Sequence, residues 1–251
     1  VTITGTRSSA ADYATDLHGL GYRQLVLTDA AAVDALARSL HRLDVLVNNA
    51  GATMPAGDEW TADGFAAAVE LGLVGPMRLA TACADLLAAS DLQGGGTLIS
   101  LASMAAYRSS PFVPGYGAAK AGIVNLTANL ARRWAGRGVR ANAIAPGVID
   151  TPMTAALGAF AELGDPERAH IPMARFGTVD AFVDAAVRET LEESGVRITV
   201  EAGLVEVGVA VSCQQRDLDV EQRRDPRAGQ RAVVPDRQRA RGAVADRRVG
   251  V

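Results

Sequence analysis

Residues 100–122 read SLASMAAYRSSPFVPGYGAAKAG. Ser103 comes first, Tyr116 thirteen residues later, and Lys120 four after that. Lys120 is the only lysine in the chain; every other one of the 25 basic residues is arginine. Arginine keeps its proton, whereas a lysine amine can give one up at a pKa that its surroundings set. Residues i and i+4 share one face of a helix, so Lys120 can lie beside Tyr116. An ammonium near a phenol favours the phenolate and lowers its pKa from about 10. Ser103, at the end of an expected strand, can hydrogen-bond the same substrate oxygen. The chemistry suited to these three groups is proton transfer to or from a carbonyl or alcohol oxygen. Y-x-x-x-K alone is a common pattern, and an ordinary Tyr and Lys on a surface helix would also produce it.

The flanking segments narrow the choice. Residues 43–51 read LDVLVNNAG and residues 139–153 read VRANAIAPGVIDTPM. Together with Ser103, Tyr116 and Lys120 in this order, they resemble the short-chain dehydrogenase/reductase family. The resemblance covers roughly residues 1–180 and implies an α/β fold, a Rossmann-like doubly wound parallel sheet. It implies an NAD(P)-dependent oxidoreductase that interconverts a ketone and a secondary alcohol. Ser103 would orient the substrate, Tyr116 would be the general acid/base, and Lys120 would bind the nicotinamide ribose and lower the tyrosine pKa.

The resemblance carries further residues. Asn48, Asn49, Ala50 and Gly51 would line the cofactor, although Asn and Gly after a strand also make ordinary turns. Arg7 would meet a 2′-phosphate, favouring NADP with NAD as the second choice; a solvated surface Arg is nearly as good a reading. Asp29 matches an adenine-side Asp and could equally cap a helix. Pro146, Gly147, Ile149 and Thr151 match the segment that touches the nicotinamide. Residues 151–176 match a substrate lid, with Met153, Leu157, Phe160, Leu163 and Met173 either facing an apolar substrate or packing in a core. One position departs: the family's catalytic Asn, in a pattern like N-L-x-G-P, falls at Gly72. The family also implies a homodimer or homotetramer.

Composition supports an ordinary globular chain. It has 251 residues, 49% hydrophobic and 21% charged, with net charge -3, so nothing global points to nucleic acid. Cys83 and Cys213 lie far apart and form no metal or redox spacing, so no metal site is expected. We expect no membrane-spanning run, no signal peptide and a cytoplasmic protein with reduced thiols.

Strands are expected at residues 1–6, 24–27, 43–47, 97–101 and 139–144. Helices are expected at 10–17, 31–41, 61–89 (bent near Gly72, Gly75 and Pro76) and 117–134. Strands alternating with helices mean a parallel sheet with right-handed crossovers. Reading residues 1–6 as a degenerate phosphate loop region leaves too little chain before Asn48. Reading them as the family's second strand puts every later element in place. The first strand and the glycine-rich loop are then expected to be missing. Two inner sheet edges would lose their partners, so strands two and three would close onto strand four, stay detached, or mispair.

Three segments are expected: an incomplete Rossmann-like domain at 1–180, a helix with a strand of uncertain origin at 181–212, and an Arg-rich disordered tail at 213–251. Residues 188–196, RETLEESGV, resemble the end of a Nudix box, in which Glu192 and Glu193 would bind a metal. An acidic solvated helix explains them more simply. The function classes are therefore an oxidoreductase acting on a small carbonyl or alcohol, a catalytically impaired scaffold of the same fold, and, more remotely, a diphosphate hydrolase.

Overall fold

The computed structural model describes residues 1–184 other than 15, together with the backbone of the strand at 208–211. The Nudix-like segment, Cys213 and the Arg-rich tail lie outside the described residues.

The strands are β1 (Thr2–Gly5), β2 (Gly21–Gln24), β3 (Val45–Asn48), β4 (Thr97–Leu101), β5 (Arg140–Ile144) and β6 (Gly208–Val211). The helices are α1 (Ala30–Ser39), α2 (Ala62–Val69), α3 (Gly75–Ala82), α4 (Ala84–Ala88), α5 (Pro114–Trp134), α6 (Ala155–Ala159) and α7 (Ala161–Ala169). One six-stranded sheet has the order β2-β1-β6-β3-β4-β5. Every pairing is parallel except those of β6, which runs antiparallel to both β1 and β3.

The inner edges of β1 and β3 thus meet a fourth outcome beyond the three expected. β6 enters the slot that the family order gives to its first strand, in the opposite direction, and so satisfies both edges. Its first residue, Gly208, pairs with Thr4 and its last, Val211, pairs with Val45. It therefore leaves the sheet at the end away from the C-termini of its parallel neighbours. A strand of this direction cannot lead into a helix N-terminus at the end where a parallel strand would.

Two local expectations are corrected. The helix expected at 10–17 is a single 3-10 turn, Ala10–Asp12, closed by a Ser9/Asp12 capping box, after which Tyr13 turns extended. The strand expected at 24–27 is Gly21–Gln24, because Ile3 pairs with Tyr22. Leu25 and Leu27 follow it and are buried in the core.

The helical region expected at 61–89 bends where anticipated: a π-turn, Glu70–Val74, separates α2 from α3. A π-turn is rare and costs regular hydrogen bonding, so it marks a place where packing overrides helix geometry. Contrary to expectation, the helical stretch Ala62–Ala82 is long and apolar enough, by length and composition, to cross a membrane. In this fold it packs on α5 and α1. Its small and apolar residues Gly64, Ala68, Gly72, Gly75, Leu79 and Ala80 face inward.

The core lies between the sheet and these helices: Val33, Leu36, Leu46, Leu79, Leu98 and Trp134 are buried in it. Cys83 is fully buried there, and burial pushes its thiol up to about 11. It behaves as a small core hydrophobe.

Candidate active site

A cleft of about 940 Å³ opens at the C-terminal ends of the parallel strands. Its size is at the upper end of the roughly 300–1,000 Å³ usual for small-molecule sites. Ligands in open α/β sheets bind at this end, because the connecting loops there converge.

Ser103, Tyr116 and Lys120 meet in the cleft wall. β4 ends at Leu101 and delivers Ser103 to the rim, where its hydroxyl accepts a bond from the Ala105 amide at 3.1 Å. α5 starts at Pro114, three residues before the expected start, with proline at its first position. Proline loses nothing there, since that N–H would be unsatisfied anyway. Tyr116 lies in the first turn of α5 and Lys120 one turn on. The Lys120 Nζ is 5.5 Å from the Tyr116 ring centroid and donates to the Leu101 carbonyl at 2.5 Å.

The electrostatics differ from expectation. Burial pushes Lys120 down to about 8 and pushes Tyr116 up. A hydrogen bond with Ser103 acts against the rise at Tyr116, and the charge of Glu59 adds to it. The expected lowering of Tyr116 by Lys120 is not what this geometry produces. The ammonium bonds the Leu101 carbonyl oxygen, and the phenol's own burial outweighs what a neighbouring charge offsets.

The cofactor-side residues divide. Arg7, Asn48, Asn49, Ala50 and Gly51 line the cleft, as do Pro146, Gly147, Ile149 and Thr151. Asn48 is buried, and its Nδ2 donates to the Pro76 carbonyl at 3.1 Å while its Oδ1 has no partner among the described residues. The Arg7 guanidinium lies 4.9 Å from the Tyr13 ring centroid and also bonds the Asp12 carbonyl. Asp29 is not among the cleft-lining residues. Its carboxylate accepts from the amides of Ala31 at 2.9 Å and Ala32 at 3.1 Å, the helix-cap reading of that residue.

Gly72 sits in the π-turn against α5, where an added Cβ would lie 2.9 Å from the Cβ of Ala119. An Asn there would have to push aside the residue next to Lys120. The departure from the family pattern is therefore matched by the packing.

Of the lid residues, Met153 and Leu157 line the cleft, while Phe160 and Met173 are exposed. The lid is anchored at its base by Asp150 and Gly177, whose amides bond the Gly177 and Val148 carbonyls at 2.9 Å each. The ion pair Arg108–Glu167, 2.9 Å, ties α7 to the segment after Ser103.

Two residues escaped the sequence reading. Tyr13 forms cleft wall beneath Arg7, and only the turn that breaks the expected helix brings it there. Glu59 is 1% exposed, and its Oε1 accepts from the Met54 amide and its Oε2 from the Tyr116 amide, both at 2.8 Å. A single acid between turn residues carries no periodic or motif signal.

Comparison with known proteins agrees with this architecture. Residues 28–208 match a family model described as enoyl-(acyl carrier protein) reductase. A short-chain type dehydrogenase/reductase of Sinorhizobium fredii is 33% identical over 187 residues, covering 71% of this chain and 33% of the relative. The 3-oxoacyl-[acyl-carrier-protein] reductase FabG of Thermotoga maritima is 30% identical over 183 residues, covering 69% of this chain and 70% of the relative. This chain thus spans about a third of the first relative's length and under three quarters of the second's. A gluconate 5-dehydrogenase from Burkholderia cenocepacia, solved in complex with NADP and tartrate, superposes with TM-score 0.65 at 25% identity, covering 81% of this chain and 84% of that one. The fold, the ordered motifs and these matches agree: the chain belongs to the short-chain dehydrogenase/reductase family.

Proposed function

We propose that the cleft is the site of an NADP-preferring oxidoreductase, also able to take NAD, that interconverts a small ketone and a secondary alcohol. The observation that carries this reading is the convergence of Ser103, Tyr116 and a buried Lys120 on one cleft. When bound, a nicotinamide cofactor supplies or accepts the hydride at the carbonyl carbon. Its fit rests on the volume of the cleft, which both Arg7 and Tyr116 line, and on the unpaired Asn48 Oδ1, which could accept from a bound group. Arg7 would meet the 2′-phosphate, Asn48 to Gly51 the ribose side, and Pro146, Gly147, Ile149 and Thr151 the nicotinamide side. Asp29, whose carboxylate caps α1, would stand on the adenine side.

In reduction, Ser103 holds the carbonyl oxygen and Tyr116 gives it a proton as the C–H bond forms. With its pKa raised, Tyr116 is a phenol at neutral pH and is ready to act as the acid. Lys120 orients the ribose and can return a proton toward Tyr116. In this reading the protein is cytoplasmic and homo-oligomeric. The exposed side chains of Phe65, Val74 and Met77 on the α2–α3 region offer an apolar face for the second copy.

The test is a thermal melt of the chain with NADPH or NADH, paired with turnover of Tyr116→Phe. A cooperative melt raised more by NADPH than by NADH, and a turnover loss of about 10²–10⁴-fold in the variant, is expected. A cooperative melt that neither cofactor moves would overturn the reading in favour of a catalytically impaired scaffold.

A further inference from the structure

We propose that Glu59 is a positioning residue for Tyr116: its buried carboxylate caps the catalytic helix from outside and fixes the backbone that carries the tyrosine. The inference rests on the reading of Tyr116 as the general acid/base.

The first turn of a helix leaves its amides without intrahelical partners. α5 has Val113 at its N-cap, with no side-chain cap and no acid in its first turn. Glu59, from the loop before α2, fills that role: its Oε2 accepts from the amide of Tyr116 itself at 2.8 Å. A carboxylate at a helix N-terminus is favoured by the helix dipole as well as by the bond.

The approach is built into the sequence on both sides. Gly115 precedes Tyr116, and a Cβ there would lie 3.2 Å from the Glu59 Oε2 and 2.9 Å from the Ala68 Cβ. The other oxygen, Oε1, holds the amide of Met54, a cleft-lining residue whose φ of 49° is strained for a non-glycine. One carboxylate thus joins the loop after the Asn48–Gly51 segment to the start of the catalytic helix.

A buried negative charge beside Tyr116 makes the phenolate harder to form, in the same direction as burial itself. Glu59→Gln removes that charge and turns an amide N–H toward a backbone donor. The Tyr116 titration midpoint should then fall. Two readouts follow it. One is the ultraviolet absorbance of tyrosinate on pH titration, with Tyr116→Phe as the subtraction that assigns it among the four tyrosines. The other is the high-pH limb of NADPH-dependent ketone reduction, which should move to lower pH in the variant.

An unmoved midpoint and limb in a folded Glu59→Gln, even with a lower melt, would mean that Glu59 only stabilises the fold, and would overturn the inference. If Tyr116→Phe keeps its turnover, the proposed reaction fails instead, whatever Glu59 does. If Glu59→Gln does not melt cooperatively, Glu59→Asp takes its place. Its shorter side chain draws the charge away from Tyr116, so the midpoint should move the same way by less, and an unmoved midpoint there overturns the inference too.

Discussion

The two ends of β3 are held in opposite ways. Just before the strand, Asp44 is fully buried and fully used: Arg42 lies at 2.8 Å, the Ser90 hydroxyl donates at 2.6 Å, and the Asp44 carbonyl accepts from Thr97 at 2.9 Å. At the strand's other end, four residues on, Asn48 is also buried but leaves its Oδ1 unpaired in the cleft wall. Nearby, a buried amine at Lys120 adds a charge that the interior disfavours. Buried polar groups are normally satisfied, so an unsatisfied one on a cleft-lining residue is a candidate for binding or chemistry. The Asp44 end is closed by its own partners; the Asn48 end leaves an acceptor open in a residue that lines the cleft, which the proposed cofactor would use.

The largest effect should come from Lys120→Met, which tests whether the cleft end gives up stability. Turnover should fall at least about a hundredfold. Stability should move the other way. The folded chain holds the Lys120 proton only up to about 8, against an ordinary 10.5. Between those values the unfolded chain binds more protons, so stability rises with pH across that window, and below it the buried charge opposes folding. The variant should lose that slope and gain roughly 1–3 kcal/mol at neutral pH. The difference between the two denaturant profiles isolates Lys120 from Cys83, whose raised value acts in the opposite sense at higher pH. A variant less stable than the parent at neutral pH would break the comparison at this end.

Asp44→Ala comes next. It strands the Ser90 hydroxyl and leaves Arg42 only its pairing with Asp91, and should cost about 2–3 kcal/mol in urea unfolding for two bonds to a charged group. Because Arg42 is 44% exposed, water recovers part of its share. NADPH should still raise the melt of whatever remains folded. An Asp44→Ala chain as stable as the parent would remove the contrast.

The smallest stability effect belongs to Asn48→Ala. It loses the bond to Pro76 and also the unpaired oxygen, so the melt should shift by no more than about 1 kcal/mol. The rise in melt with NADPH should shrink far more than the melt itself. Equal losses in both would make Asn48 a structural residue like Asp44.

Much of the site was legible in the residues because it is local. Ser103 at a strand end and Tyr116 and Lys120 one turn apart need only β4 and α5 to meet, and strong motifs marked both elements. The five parallel strands followed from apolar runs between helices, with boundaries off by a few residues where turn chemistry intervened, as at Ala10–Asp12. Gly72 was recognised as a departure, but that it fits against Ala119 depends on how two helices pack. Arg7 and Asp29 carried open alternatives, and the fold adds a placement to each: Arg7 lines the cleft, and Asp29 caps α1.

By itself the sequence determined the α/β order of elements, the Ser-Tyr-Lys constellation and the loops that frame it, because those rest on periodicity and spacing along the chain. Tertiary structure alone decided the rest. It brought β6 antiparallel between β1 and β3, set Glu59 against the start of α5, and buried Tyr116 and Lys120 deeply enough to raise the phenol and lower the amine. Each of these depends on contacts between segments far apart in the chain and on exclusion of water, and neither leaves a local mark in the order of residues.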